Sequence, residues 1–413
     1  MIVAFATLAA RAQDPTPTPP PPTGGADAPA TPPTVPTNEE ISKAIERALE
    51  IVLASQENYV PKSAEKDPDD GKKPNAEWPY EGVYRVDREI PLGYRIGGTS
   101  ICAWAVLEPE GWGKNPARQK AVERALDFVL ARLDDPLMTP TFVEGYDVRG
   151  WGHTYALQFL VRMRELKRVP AKRKTHVDKA IKSLVAAIEQ SEIQGVEGKV
   201  GGGWNYSRRG KPAQPSTFMT APTLQALFAA AAQGEKVDPA VIARGLDTLE
   251  RARLASGAYQ YGTNPARQSG KGFEAVEGAI GRMAVCESTL MLAGRGDLGR
   301  LRASLDAFFQ HWEWLEKRRK GTGTHIEPYM IAPYYFFYAH YYTAQAIELL
   351  PEADRQSYRD KLNALFFKVR EPSGGWNDRV FPRSENFGTA MTLMAFLQSR
   401  LPRPAGWQVT EKL

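Results

Sequence analysis

Six stretches of this chain carry apolar residues at helical spacing on one face and charges on the other, recurring along most of its length. The first runs from Asn38 and presents Ile41, Ile45, Leu49 and Val52. The second presents Val122, Ala125, Leu126 and Val129, and the third Val177, Ile181, Leu184 and Ile188. The fourth opens on Asp238-Pro239, an N-cap followed by proline at the first helical position, and presents Ile242, Leu246 and Leu249. Leu298, Leu301, Leu305 and Phe308 mark the fifth; Tyr358, Leu362 and Leu365 mark the sixth. Between them lie six helical segments that are apolar nearly all round. Such a helix is buried on every side. The alternation predicts an all-α fold, an (α/α)6 toroid of six outer helices around six inner ones. Each pair leaves a face that only a neighbour covers, and closing the ring removes the need for capped ends. An open superhelical solenoid satisfies the same pattern and is the alternative.

The repeats begin after a different kind of sequence. Ile2 to Ala10 is a short apolar run, and Ala10-Arg11-Ala12 resembles the small-residue pattern before a signal-peptidase cut. Residues 14–37 hold ten prolines in twenty-four positions, a composition that favours extended polyproline II and cannot pack a core. The expected organisation is a truncated signal peptide over 1–13, a disordered Pro/Thr-rich linker over 14–37, the toroid over 38–402 and a tail over 403–413. Export, periplasmic or secreted, follows from the first two; a disordered N-terminus on a cytosolic protein is the plainer alternative. Among 413 residues the net charge is only +5, with no basic stripe interleaved with aromatics, so no nucleic-acid partner is expected. No apolar run reaches the roughly 18 residues a transmembrane helix needs. Two cysteines make neither a disulfide framework nor a CxxC metal cluster.

The repeat is visible residue by residue. Thr217 to Leu227 (TFMTAPTLQAL) and Asn386 to Phe396 (NFGTAMTLMAF) agree at six of eleven positions. Each follows a Gly-Gly-Trp-Asn turn, Gly202 to Asn205 and Gly374 to Asn377, and Gly150-Trp151-Gly152 and Gly257-Ala258-Tyr259 read as related turns. An outer helix, then Gly-x-Trp, then an inner helix of the form Thr-Ala-x-x-Leu-x-Ala-Leu resembles the repeat of squalene–hopene cyclases and protein prenyltransferase β subunits. The resemblance spans roughly residues 38–402 and is fullest in repeats three and six; the glutamine expected shortly before Gly-x-Trp is misplaced or missing. It implies a toroid whose apolar lumen holds the ligand, and prenyltransferase- or terpene-cyclase-like chemistry if the chain turns anything over. Squalene cyclisation is not expected, because the only Asp-x-Asp-Asp string, Asp67 to Asp70, precedes Gly71-Lys72-Lys73 in a polar loop and not an inner helix.

Aligning the inner helices on Thr220 and Thr389 places Ser100, His153, Cys286 and His340 at the matching positions, on a ring expected to face the lumen. Prenyltransferase β subunits hold zinc with Asp-x-Cys on one inner helix and His on the next. The resemblance therefore implies zinc on Cys286 and His340, with Ala284 in place of the carboxylate and His153, Glu287 or His325 as candidates for a third ligand. Packing explains the same residues: cysteine as a small hydrophobe, threonine as a cap, histidine as a hydrogen-bonded core residue. Cys102 and Cys286 lie across the ring, too far apart for a disulfide.

Residues 329–342 hold eight aromatics in fourteen positions, more than one helix face accommodates. Tyr146, Trp151, Tyr155, Trp204, Tyr206, Tyr335, Tyr338 and Trp376 are the aromatic residues expected to contact a ligand in the lumen. Glu144, Asp147, Arg149 and His153 gather in repeat two, and Glu274, Glu277, Arg282 and Glu287 in repeat four. His153, Asp147 and Glu277 are accordingly the candidates for catalysis. An apolar, isoprenoid-like ligand in an aromatic lumen is the leading expectation. A carbohydrate-active or glycan-binding barrel is the first alternative, since acid/base work there needs two facing carboxylates about 5 to 9.5 Å apart. A non-catalytic interaction scaffold is the second.

Overall fold

The computed structural model describes residues 34–60, 76–86, 88–140, 148–195, 201–206, 214–263 and 269–407. The amphipathic stretches form the outer helices: α1 (Asn38–Ala54), α3 (Pro116–Leu133), α5 (Lys174–Gln190), α7 (Pro239–Ala252), α9 (Leu298–Arg318) and α11 (Glu352–Lys368). Their starts are set locally. Thr37 and Glu40 close a capping box on α1, and the Asp238 side chain accepts from the Ala240 amide with Pro239 at the first position of α7. The segments between them are α2 (Leu92–Leu107), α4 (Arg149–Glu165), α6 (Thr217–Ala232), α8 (Val276–Leu292), α10 (Tyr335–Ile347) and α12 (Ser384–Leu397). These are buried on nearly every side; every residue of α10 is out of solvent.

Successive inner helices touch in the order α2, α4, α6, α8, α10, α12, and α12 touches α2, so the ring closes and the solenoid alternative does not apply. Each outer helix lies mainly on the inner helix that precedes it in the chain, and α1 lies on α12. The first and last repeats therefore share a seam. Across it Arg383 pairs with Glu57 (2.6 Å), the Asn386 amide donates to the Pro79 carbonyl (3.2 Å) and the Tyr80 hydroxyl donates to Asp378 (2.9 Å). No helix among the described residues is long and apolar enough to cross a membrane.

One staple joins the two layers in three repeats. In repeat three the Trp204 indole N–H donates to the Ile188 carbonyl at the end of α5 (2.8 Å), and its backbone N–H donates to Thr220 Oγ1 on α6 (3.0 Å). Trp376 does the same with Phe366 and Thr389 in repeat six, and Trp78 with Val52 and Thr99 in repeat one. The double glycine before the tryptophan follows from this contact. A Cβ on Gly203 stands 2.7 Å from Thr220 Oγ1, one on Gly375 stands 2.8 Å from Thr389 Oγ1, and Gly202, Gly203 and Gly374 all have positive φ.

Candidate functional site

The six inner helices run parallel, so the lumen has one end at their N-termini and another at their C-termini. At the N-terminal end the helices contribute Tyr94, Trp151, Phe218, Tyr338 and Phe387, joined by Tyr80 and Tyr206 from the turns. Phe218 stacks on Tyr338 with centroids 3.8 Å apart, Tyr80 lies 4.3 Å from Phe387, and Trp151 meets Tyr155 edge-on at 5.0 Å. The void left among these rings is about 10 Å³, room for a single water.

Beside this plug the Asp378 carboxyl is fully buried; one oxygen accepts from Tyr80, and the other has no hydrogen-bond partner. Loss of hydration pushes it up to about 7.

The C-terminal end is open and of different chemistry. A cavity of about 220 Å³ lies among the last turns of α2, α4, α6 and α10 and the segment after α12. Trp104 and Tyr341 form one corner, their rings crossing at 77°. Gln158, Gln225, Gln345 and Gln398 line the walls, and Leu401 to Ala405 cross as a strap. The strap is tied beyond the cavity, where the Trp407 amide donates to the Leu292 carbonyl (2.9 Å) and its ring packs on Phe228. Gln158 Nε2 donates to the Pro222 carbonyl and Gln225 Nε2 to Thr289, while the Oε1 atoms of Gln158 and Gln345 are buried with no partner. Two carboxylates face this cavity, and both are engaged. Glu108 receives the Arg162 guanidinium bidentately (2.6 and 2.7 Å) and the Trp104 indole N–H (2.7 Å), and Arg162 also holds Glu165 (2.8 Å).

The residues singled out in the sequence divide among three places. Trp151, Tyr155, Tyr206, Tyr335 and Tyr338 do gather at the aromatic end. Trp204 and Trp376 instead lie between the layers as staples. Tyr146, Asp147 and Glu144, like Asp67 to Asp70, fall outside the described residues. Gly150-Trp151-Gly152 belongs to the first turn of α4 and is not a separate turn. Glu277 sits in the first turn of α8, and α6 separates α8 from the α4 that bears His153. Arg282 holds the carbonyls of Gly278 and Tyr259, and Glu287 accepts the Tyr259 hydroxyl, so these two brace the repeat-four turn.

The expected lumen-facing ring faces the other way. Thr220 and Thr389 point outward to the staple tryptophans, and Thr99, not Ser100, is their counterpart in repeat one. His153 Nε2–H donates to the Met138 carbonyl (2.9 Å), with burial pushing the imidazole down to about 4. His340 Nδ1–H donates to the Phe336 carbonyl (2.6 Å) and its Nε2 accepts the Trp312 indole N–H (2.8 Å); burial lowers it to about 3. Both nitrogens of His340 are thus committed to protein partners, and burial raises the Cys286 thiol far above its usual range. No three His, Cys, Asp or Glu among the described residues come together to hold a metal ion, so these side chains do not fit zinc. Cys102 and Cys286 are both buried free thiols.

Five residues beyond Thr99, His153, Thr220 and His340 stand Trp104, Gln158, Gln225 and Gln345, with Met291 and Met394 at the matching places of repeats four and six. At 3.6 residues per turn, five steps rotate a side chain by about 140°, from the interlayer to the lumen. The C-terminal site was therefore present in the sequence register, one turn and a half further on.

No protein-family model and no curated protein matches this chain. Among solved structures it is similar to the GH76A α-1,6-mannanase from Salegentibacter sp. HEL1_6, at 10% identity and TM-score 0.49, covering 88% of this chain and 100% of that one. It is similar to a possible GH105 member from Klebsiella pneumoniae (11%, TM-score 0.46, 89% and 95%). The type II terpene cyclase MstE from Scytonema follows at 13% and TM-score 0.44, covering 88% and 99%. At these values the likeness speaks to neither ligand nor chemistry.

Proposed function

We propose that this chain is a small-molecule-binding toroid whose site is the glutamine-lined mouth at the C-terminal ends of the inner helices. The observation that carries the reading is a 220 Å³ cavity whose wall gathers the Trp104 ring and the side-chain amides of Gln158, Gln225, Gln345 and Gln398. Binding without turnover is favoured, because both lining carboxylates, Glu108 and Glu165, are ion-paired with Arg162. An apolar, isoprenoid-like ligand at the aromatic end is the second reading, favoured by the ring of aromatics there; it requires those rings to part, since the void admits about one water. Export also belongs to this proposal, on the apolar run Ile2–Ala10 and the proline-rich stretch after it, and cell fractionation of the full chain tests it.

The test is a ligand-observed NMR screen of neutral fragments against wild type, Ala229→Trp, which fills the mouth, and Phe218→Leu, which alters the aromatic end. Hits lost only in Ala229→Trp are expected. Hits that survive Ala229→Trp and vanish in Phe218→Leu move the site to the aromatic end.

A further inference from the structure

We infer that the mouth takes one neutral sugar ring, stacked on Trp104 and hydrogen-bonded by the glutamines. The inference rests on the proposed site and adds the class of its occupant. Three independent features narrow that class.

The first is charge. Glu108 and Glu165 are balanced by Arg162 and by Arg403 of the strap, so the cavity is neutral overall. A formal charge on the ligand unbalances a wall whose own charges cancel, and it loses its hydration.

The second is hydrogen-bond polarity. Gln158 and Gln225 spend one N–H each on Pro222 and Thr289, and the four amides of the wall together offer donors and acceptors. The parallel inner helices also converge there with their C-termini, the partially negative ends of their dipoles. The wall therefore asks for several donors and acceptors without a formal charge. Hydroxyl groups supply them, and each hydroxyl also accepts from whatever N–H remains.

The third is shape. Trp104 and Tyr341 present an aromatic corner, with the Trp104 ring locked by its indole N–H on Glu108. A pyranose offers one face of C–H bonds to such a ring while its hydroxyls radiate from the edge, and 220 Å³ suits one ring and not a chain. A flat amide or a simple alcohol meets one of these demands but not all three.

Saturation-transfer NMR of the full-length protein with methyl glucopyranoside and methyl galactopyranoside tests this, with cyclohexanol as the apolar control. The expected result is transfer strongest at ring C–H protons, with affinity at least tenfold weaker in Gln158→Leu/Gln345→Leu and in Trp104→Leu, and largely kept in Trp104→Phe. The glutamine pair is informative even where the tryptophan variant folds poorly. Cyclohexanol binding as tightly as the glycosides overturns the sugar class. So do silent glycosides when neutral fragments still bind and are lost in Ala229→Trp, a result that leaves the site itself standing. Silence from fragments and glycosides alike overturns both.

Discussion

The two ends of the lumen are built by the same six helices and finish in opposite ways. At the N-terminal end the aromatic rings interlock until only 10 Å³ is left. At the C-terminal end the amides keep 220 Å³ open and leave two of their own oxygens unpaired. Close packing gains dispersion and burial at every contact, whereas an open cavity forgoes both until something fills it. The contrast teaches that aromatic content does not identify a ligand chamber. The end with fewer rings is the one that keeps room for a ligand.

The largest effect that bears on this contrast is expected from Phe218→Ala. Phe218 is enclosed by Tyr338 and Tyr335, so truncation should cost about 3–5 kcal/mol in urea unfolding. A loss below about 1 kcal/mol would mean the rings part easily, and the aromatic end would regain its claim as a chamber.

Next comes pH. Asp378 moves from an ordinary 3.8 to about 7 on folding, so the folded state binds the proton more tightly than the unfolded chain. Its contribution is therefore complete below pH 3.8 and is lost as pH rises toward 7, by an amount on the order of 4 kcal/mol. His153 and His340 act in the opposite sense. Their folded values of about 4 and 3 mean that stability is full above 6.5 and falls as acid protonates the unfolded chain. Comparing unfolding of wild type and Asp378→Asn from pH 4 to 8 isolates the carboxyl; the variant should lose Asp378's share of the fall in stability toward neutrality, while Glu77, also raised to about 7, keeps its own. An unchanged slope would remove Asp378 as its source.

Gln158→Leu should be smaller still, changing stability by less than about 1 kcal/mol in either direction, because removing an unpaired acceptor offsets the loss of the 3.3 Å bond to the Pro222 carbonyl. A loss above about 2 kcal/mol would show that the amide is already satisfied and the two ends are alike. The smallest effect belongs to Trp407→Ala. Hydrogen exchange at the strap should rise while the global unfolding midpoint hardly moves, since the strap opens as a local unit.

What the sequence made legible follows the reach of each signal. The start of α7 at Asp238-Pro239 and that of α1 at Asn38 were readable because caps act within one turn. The two layers were readable because outer helices have a wet face and inner ones do not. That same property concealed the orientation of the inner helices. A helix buried all round has no polar face to say which side meets the lumen, so Thr220, His153 and His340 aligned correctly yet were assigned the wrong direction. The glutamines five residues later read as site residues only once that direction is known. The strap from Leu401 to Trp407 carried no helical period at all, and its place across the mouth depends on contacts with α6 and α8 far upstream.

The seam between the last repeat and the first has a consequence in time. Tyr80 waits for Asp378, Pro79 for Asn386 and Glu57 for Arg383, partners 298 to 326 positions later. During synthesis α1 has no α12 to lie on until nearly the whole chain has left the ribosome. The first repeat thus emerges earliest and is completed last, with its apolar stripe exposed throughout. Loop closure over such separations slows folding, and an unfinished apolar face invites association with other chains. A ring that needs no end caps when finished is, while it is being made, a long chain with one uncapped end.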